Sequence, residues 1–236
     1  GMSRVHNNLI KKPKNLTVGI NLGSNKETLD RSLDFIKVLS LFNETVDFAT
    51  INISSPNTKN LRKLQNKEEL EILLTKVTNE RQKLLNIKPL FLKISPDLND
   101  NQIESIVDLT LKFNLSGIIA TNTSTTRENL DKKWQNTAGG LSGKPIFKKS
   151  TITLAKISTL SKSKFPIIGV GGIFSAEDAF EKICAGASAL QIYSALTFVG
   201  PSIVKEICKN LELILKANGF KNISEAVGTK KSNWIS

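Results

Sequence analysis

Short apolar runs that end in polar residues alternate along this chain with longer stretches whose apolar positions recur at helical spacing. Residues 16–23 are apolar up to Asn21 and Gly23 and read as a buried strand with a polar exit. Residues 46–53 repeat the design and run directly into Asn52, Ser54, Ser55, Pro56 and Asn57. A third strand, residues 89–96, carries the single charge Lys93 near its end. Residues 117–123 finish in Thr121, Asn122 and Thr123, residues 166–173 in Gly171 and Gly172, and residues 189–194 in Tyr193 and Ser194.

Between these runs, residues 26–42 place Leu29, Leu33, Ile36, Leu39 and Leu41 toward one helix face. Residues 68–85 do the same with Leu70, Ile72, Leu73, Val77 and Leu84. Asn99 or Asp100 caps a helix reaching Phe113, and Ser150 opens one that ends near Leu160. Ser175 caps the next, with Glu177 and Asp178 in the first turn where the helix dipole favours them. Pro201 starts a last helix that Gly219 ends. Residues 3–13 have no strong period and read as loop. Residues 124–144 form a long loop containing Gly139, Gly140, Ser142 and Gly143, and its length suggests a function.

Strands apolar throughout, alternating with helices, predict a parallel α/β sheet. A doubly wound sheet places ligands near its switch point alone, whereas a (β/α) barrel gathers every C-terminal strand end on one face. Polar exits on all the strands therefore favour a single-domain TIM (β/α) barrel over residues 1–236, with about six of the eight units a full barrel needs.

Composition narrows the chemistry. The net charge of +12 is spread over lysines scattered through helical stretches, with no aromatic-interleaved basic patch, so nucleic acid is not the expected partner. Anionic ligands are favoured. Two cysteines, Cys184 and Cys208, lie far apart in helical stretches and read as packed thiols. His6 is the only histidine, which argues against a histidine triad or a histidine-rich metal site. No apolar run reaches membrane-spanning length and no signal peptide is visible, so a cytoplasmic location is expected. Gly1 ahead of Met2 reads as a cleavage scar.

The polar exits carry the candidate chemistry. Pro56 keeps Ser55 out of the helical region and stiffens its turn. A free serine is a weak base and needs shielding to accept a proton. Asn52, Asn57 and Asn122 offer donors and acceptors suited to a flat, imide-like ligand. Lys93, inside an apolar strand, reads as a fixed cation that stabilises negative charge on a cofactor or intermediate. The Gly169-Val170-Gly171-Gly172 turn beside Tyr193 and Ser194 reads as a phosphate cradle, since glycines let backbone N–H groups approach an anion.

The run Asn52-Ile53-Ser54-Ser55-Pro56-Asn57-Thr58, followed by Leu61-Arg62 and Leu64-Gln65, resembles the catalytic segment of class 2, quinone-dependent dihydroorotate dehydrogenases. Residues 117–123, 139–145, 167–173 and 191–194 match that family in order and spacing. Class 1 enzymes carry cysteine where Ser55 stands. The resemblance implies oxidation of dihydroorotate to orotate in pyrimidine biosynthesis, with FMN as cofactor and quinone as electron acceptor. It implies Ser55 as the base removing the C5 proton while the C6 hydride passes to flavin N5. Asn52, Asn57, Asn122 and Thr123 would hold substrate. Asn21, Lys93, Thr121, Ser142, Gly143, Gly171, Gly172, Tyr193 and Ser194 would hold FMN, the last of these around its phosphate.

The chain departs from the family pattern at its front. Family members carry an amphipathic helical pair that docks on the inner membrane and admits quinone, then two barrel strands with a glycine-rich, lysine-bearing segment. This chain begins just before Asn7-Asn8, so the expectation is an N-terminally truncated homologue lacking the first two strands. Open sheet edges would then be covered by self-association or by a partner chain. The alternatives are a non-catalytic remnant, a subunit of a split enzyme, or a dihydrouridine-synthase-like flavin barrel acting on RNA.

Overall fold

Six parallel strands, hydrogen-bonded in the order in which they occur in the chain, form the frame of the computed structural model, which describes residues 1–25, 28–58, 60–127 and 130–235. They are β1 (Gly19–Leu22), β2 (Phe48–Asn52), β3 (Leu90–Ile94), β4 (Gly117–Ala120), β5 (Ile167–Val170) and β6 (Ala189–Gln191). This order has no reversal and hence no switch point, which excludes the doubly wound alternative. β1 and β6 stand at the ends of the order, and no ladder joins them among the described residues.

The helices are α1 (Met2–Ile10), α2 (Arg31–Phe42), α3 (Lys67–Arg81), α4 (Asp100–Lys112), α5 (Lys132–Gln135), α6 (Phe147–Ser161), α7 (Ala176–Cys184), α8 (Ser194–Val199), α9 (Ser202–Ala217) and α10 (Ile223–Ala226). Short 3₁₀ turns occupy Leu61–Gln65, Lys144–Ile146 and Lys231–Trp234. No described helix is long and apolar enough to cross a membrane.

Strand alternation divides the sheet into two faces. Leu22, Ile51, Leu92, Ile118 and Ile167 lie in register across five strands and are buried with Phe35, Leu39, Leu70, Leu74, Ile106 and Leu154 of the helices. This is the main core. A second cluster joins α7 to α9 through Phe180, Ile183, Ile203 and Leu211. The opposite face carries Asn21, Phe48, Thr50, Asn52, Phe91 and Lys93, with Asn21 level with Thr50 and Asn52 level with Lys93. Phe48 and Phe91 meet edge to face there at 5.8 Å, and both are only half-buried.

Several sequence expectations require correction. Residues 3–13 are largely the helix α1, which buries none of its residues; its apolar and polar positions do separate at helical spacing, a pattern that sequence reading passed over, and His6 meets the Phe42 ring at 5.8 Å. The expected helix start at Lys26 lies outside the described residues. Asp30 caps α2 by accepting from the Ser32 N–H, so Leu29 precedes the helix and is fully exposed. The buried stripe of α2 is then Phe35, Leu39 and Phe42, and Leu33 and Leu41 face outward. In α3, Leu74 takes the core position assigned to Ile72, which is exposed.

Asn99 caps α4 in a reciprocal box with Gln102, and Ser175 caps α7, both as expected. α6 begins at Phe147, one turn ahead of Ser150. β6 stops at Gln191, and Ser194 already belongs to α8. The long loop contains α5 and is drawn together by an antiparallel bridge between Ser124 and Leu141.

Candidate active site

The C-terminal ends of β3 to β6 open into a cleft of about 250 Å³. Lys93, Thr121, Asn122, Thr123, Ser142, Gly143, Gly171, Gly172, Tyr193 and Ser194 all line it, together with Ile146, Phe174 and Gln191. Polar strand exits and the glycine-rich part of the long loop thus meet, as their positions in the chain predict.

Lys93 points from the open face of the sheet into this cleft, where burial pulls its pKa down. Its ammonium has no hydrogen-bond or ion-pair partner among the described residues. A half-buried amine left this way favours an electron-rich or anionic ligand.

At the far side of the cleft, Gly172 has φ +78°, and a Cβ there would fall 3.0 Å from the Gly143 carbonyl and 2.6 Å from Phe147 Cβ. Gly143, with φ +77°, would bring a Cβ to 3.6 Å from Ser194 Cβ. The Ser194 hydroxyl donates to Ser142 Oγ at 3.0 Å. Two glycine turns and two hydroxyls therefore close on one small volume, which backbone N–H groups can approach without side-chain obstruction.

A second polar cluster forms where β2 and β4 end. The Asn122 amide donates to Ser54 Oγ at 3.0 Å and to Asn52 Oδ1 at 3.3 Å. Ser54 is fully buried, its hydroxyl 2.8 Å from the Lys93 carbonyl and 3.1 Å from Asn52 Oδ1. Asn52 and Asn122 are thus locked together through Ser54, a residue that sequence reading left without a role.

Ser55, half-buried, stands next in the chain and accepts from the Asn57 N–H at 3.3 Å. Asn57 is exposed, 3.6 Å from where a Gly139 Cβ would lie, and a Cβ on Gly140 would strike Thr123 Oγ1. The Ser55 loop and the long loop therefore pack together at the rim, although Ser55, Asn57 and Asn52 do not line the cleft itself. Asn21 is exposed at the end of β1 and also lies off the cleft.

The rim is held by charges that no strand-end pattern reveals. Arg62 donates to the Ser54 carbonyl at 3.1 Å, to the Thr123 carbonyl at 2.8 Å and to Asp97 at 2.7 Å. Asp97 also accepts from Lys149 and the Ser124 hydroxyl, each at 2.6 Å, and from the Thr125 N–H at 2.8 Å. Burial alone would raise the Asp97 pKa, but Lys149, Ser124, Thr125 and Arg62 outweigh it and hold the carboxyl well below the usual range. The available sequence signal was a lone aspartate just after a strand exit.

A singly wound parallel α/β frame with a cleft at one rim of strand ends defines a (β/α) barrel-like scaffold. The family model for dihydroorotate dehydrogenase matches residues 1–215. A quinone-type dihydroorotate dehydrogenase of Cereibacter sphaeroides is 42% identical over 236 residues, covering 100% of this chain and 67% of the relative. The mitochondrial quinone-type enzyme of Mus musculus is 43% identical over 216 residues, covering 90% of this chain and 55% of the relative. A ligand-free crystal structure of the Eimeria tenella enzyme superposes with a TM-score of 0.89 at 30% identity, covering 97% of this chain and 70% of that one.

The chain belongs to the dihydroorotate dehydrogenase family, a family of oxidoreductases, and its curated relatives are of the quinone type. It spans about two thirds of the length of the Cereibacter relative.

Proposed function

We propose that the cleft holds FMN and that the chain oxidises dihydroorotate to orotate, with quinone as the final acceptor. The observation that carries this reading is Lys93, an unpartnered, half-buried cation facing a cleft whose far side is a glycine and serine cradle. The residues fit the flavin: Lys93, Thr121, Ser142, Gly143, Gly171, Gly172, Tyr193 and Ser194 would hold it, the glycine turns receiving its phosphate. Asn21, exposed and off the cleft, is the residue whose assignment to the flavin has least support. When bound, flavin supplies the acceptor for the substrate hydride.

The protein's own part is orientation and proton removal. Asn52, Asn57, Asn122 and Thr123 would hold the flat substrate, with Ser54 fixing the angle between Asn52 and Asn122. Ser55 takes the proton from C5, its oxygen steadied by the Asn57 N–H. Lys93 stabilises negative charge that develops on the ligand.

The test is the visible spectrum of the protein with FMN, then with dihydroorotate in the absence of oxygen. Flavin absorbance that bleaches on adding dihydroorotate, and fails to bleach in Ser55→Ala, supports the assignment. A protein that takes up no FMN refutes it.

A second reading concerns assembly. The half-exposed Phe48 and Phe91 on the open face, and end strands β1 and β6 bonded on one side only among the described residues, favour further polypeptide completing a barrel. We infer that a second copy or a partner chain covers these edges. Light scattering that finds a stable, non-aggregating monomer would oppose this.

A further inference from the structure

We propose that Lys182 is a positioning residue for the anion cradle, a buried ammonium that aims the Gly171–Gly172 peptide through Ser150. This rests on the flavin reading above and extends it to residues that do not touch the cleft.

Lys182 lies on α7 with 0% of its surface exposed. Its ammonium donates to Ser150 Oγ at 2.5 Å and sits 5.0 Å from the centre of the Phe147 ring. Ser150 is also fully buried, and its hydroxyl stands 3.0 Å from the Phe147 carbonyl and 3.1 Å from the Gly171 carbonyl. Because the lysine occupies a lone pair of the serine oxygen, the serine proton is left for the carbonyls. Gly171 has φ +116°, and a Cβ there would come within 2.8 Å of Ser150 Oγ, so the serine presses on the turn from behind.

In a planar trans peptide the C=O of one residue and the N–H of the next point in opposite directions. Holding the Gly171 carbonyl back toward Ser150 therefore turns the Gly172 N–H toward the cleft. That N–H has no hydrogen-bond partner among the described residues. The chain Lys182–Ser150–Gly171 thus presents a free donor to an anion.

The charge of Lys182 is also only partly compensated. No ion pair reaches it among the described residues. Asp178, one turn earlier on α7, is already engaged by the Phe174 N–H at 2.9 Å and by Lys144 at 3.0 Å. Burial lowers the Lys182 pKa, Asp178 partly offsets it, and the value falls to about 7. A buried ammonium in this state is stabilised by a negative group arriving on the other side of the turn. The phosphate of FMN is such a group.

The measurement is a titration of the flavin-free protein with FMN and, separately, with riboflavin, which lacks the phosphate. Lys182→Met is expected to weaken FMN binding about tenfold or more and riboflavin binding by less than about twofold. Ser150→Ala keeps the cation, removes the link and should show a smaller loss specific to FMN. It also preserves the test should Lys182→Met fail to fold. Equal weakening of both flavins, or no change in either, would mean a merely structural lysine and overturn the proposal. A wild-type protein that binds riboflavin as tightly as FMN overturns the proposal and leaves the flavin site standing. A wild-type protein that binds neither overturns both.

Discussion

Arg62 and Asp97 meet at 2.7 Å and tie together the loops that follow three different strands. Arg62 reaches the carbonyls of Ser54 and Thr123, and Asp97 gathers Ser124, Thr125 and Lys149, so one ion pair sets the spacing of the rim. Both side chains are mostly buried, at 22% and 14% exposure, which lifts the pair above an ordinary surface contact. Arg62→Ala should lower stability by about 1–3 kcal/mol and loosen substrate binding. Urea denaturation and a dihydroorotate titration check the two effects.

Asp97 also predicts an acid limit. Its folded pKa is held below that of the unfolded chain, so the stability it contributes is fully present above about pH 4. That contribution is lost as the pH falls toward the folded value. Asp97→Asn should be less stable at neutral pH and show a shallower loss between about pH 4 and pH 2. Denaturation midpoints across that range decide it.

Lys182 has a consequence at the alkaline end. Its folded pKa is about 7 against an ordinary value of 10.5, so between these the unfolded chain binds the extra proton. Stability should therefore rise with pH across that window, by up to about 1.4 kcal/mol per pH unit from this group. Lys182→Met should lack the rise when stability is followed by urea titration from pH 7 to about pH 10.

The adjacent serines should separate stability from chemistry. Ser54→Ala removes a fully buried hydroxyl and leaves the Asn122 amide short of a partner, costing about 1–3 kcal/mol. Ser55→Ala, at a half-buried position, should change stability by less than about 0.5 kcal/mol while abolishing reduction of bound flavin by dihydroorotate. Paired melting and anaerobic reduction experiments on the two variants test the contrast.

Gly172→Ala places a Cβ 2.6 Å from Phe147 Cβ at a backbone angle of φ +78°. It should destabilise the protein by more than about 1 kcal/mol and reduce FMN affinity more than riboflavin affinity.

Much of this site was legible because strand exits are local. Lys93, Thr121 to Thr123, Gly171, Gly172, Tyr193 and Ser194 each interrupt an apolar run at its end, and a parallel sheet brings such ends together whatever the helices do. What escaped depends on contacts distant in sequence. Lys182 follows Asp178 by four residues, a spacing common to exposed helix ion pairs, yet Phe147 and Ser150 of α6 enclose it. Ser54 looks like a second turn serine until β3 and β4 surround it with the Lys93 carbonyl and Asn122. Leu29 misled in the opposite direction, because the Asp30 cap starts the helix after it. Periodicity locates a helix better than it locates its first residue.

Strand order that follows chain order also has a meaning for biosynthesis. Each strand can dock on the one made before it, so the sheet can grow as the polypeptide leaves the ribosome. The cleft, whose lining runs from Lys93 to Ala195, is different: it exists only after β6 and the residues following it have emerged. A nascent chain stopped before Ala189 would carry a partly built sheet, the Asn52–Ser54–Asn122 cluster and the Gly171–Gly172 turn, but not Gln191, Tyr193 and Ser194, which complete the lining of the cleft. On the reading proposed above, flavin uptake waits for the synthesis of β6.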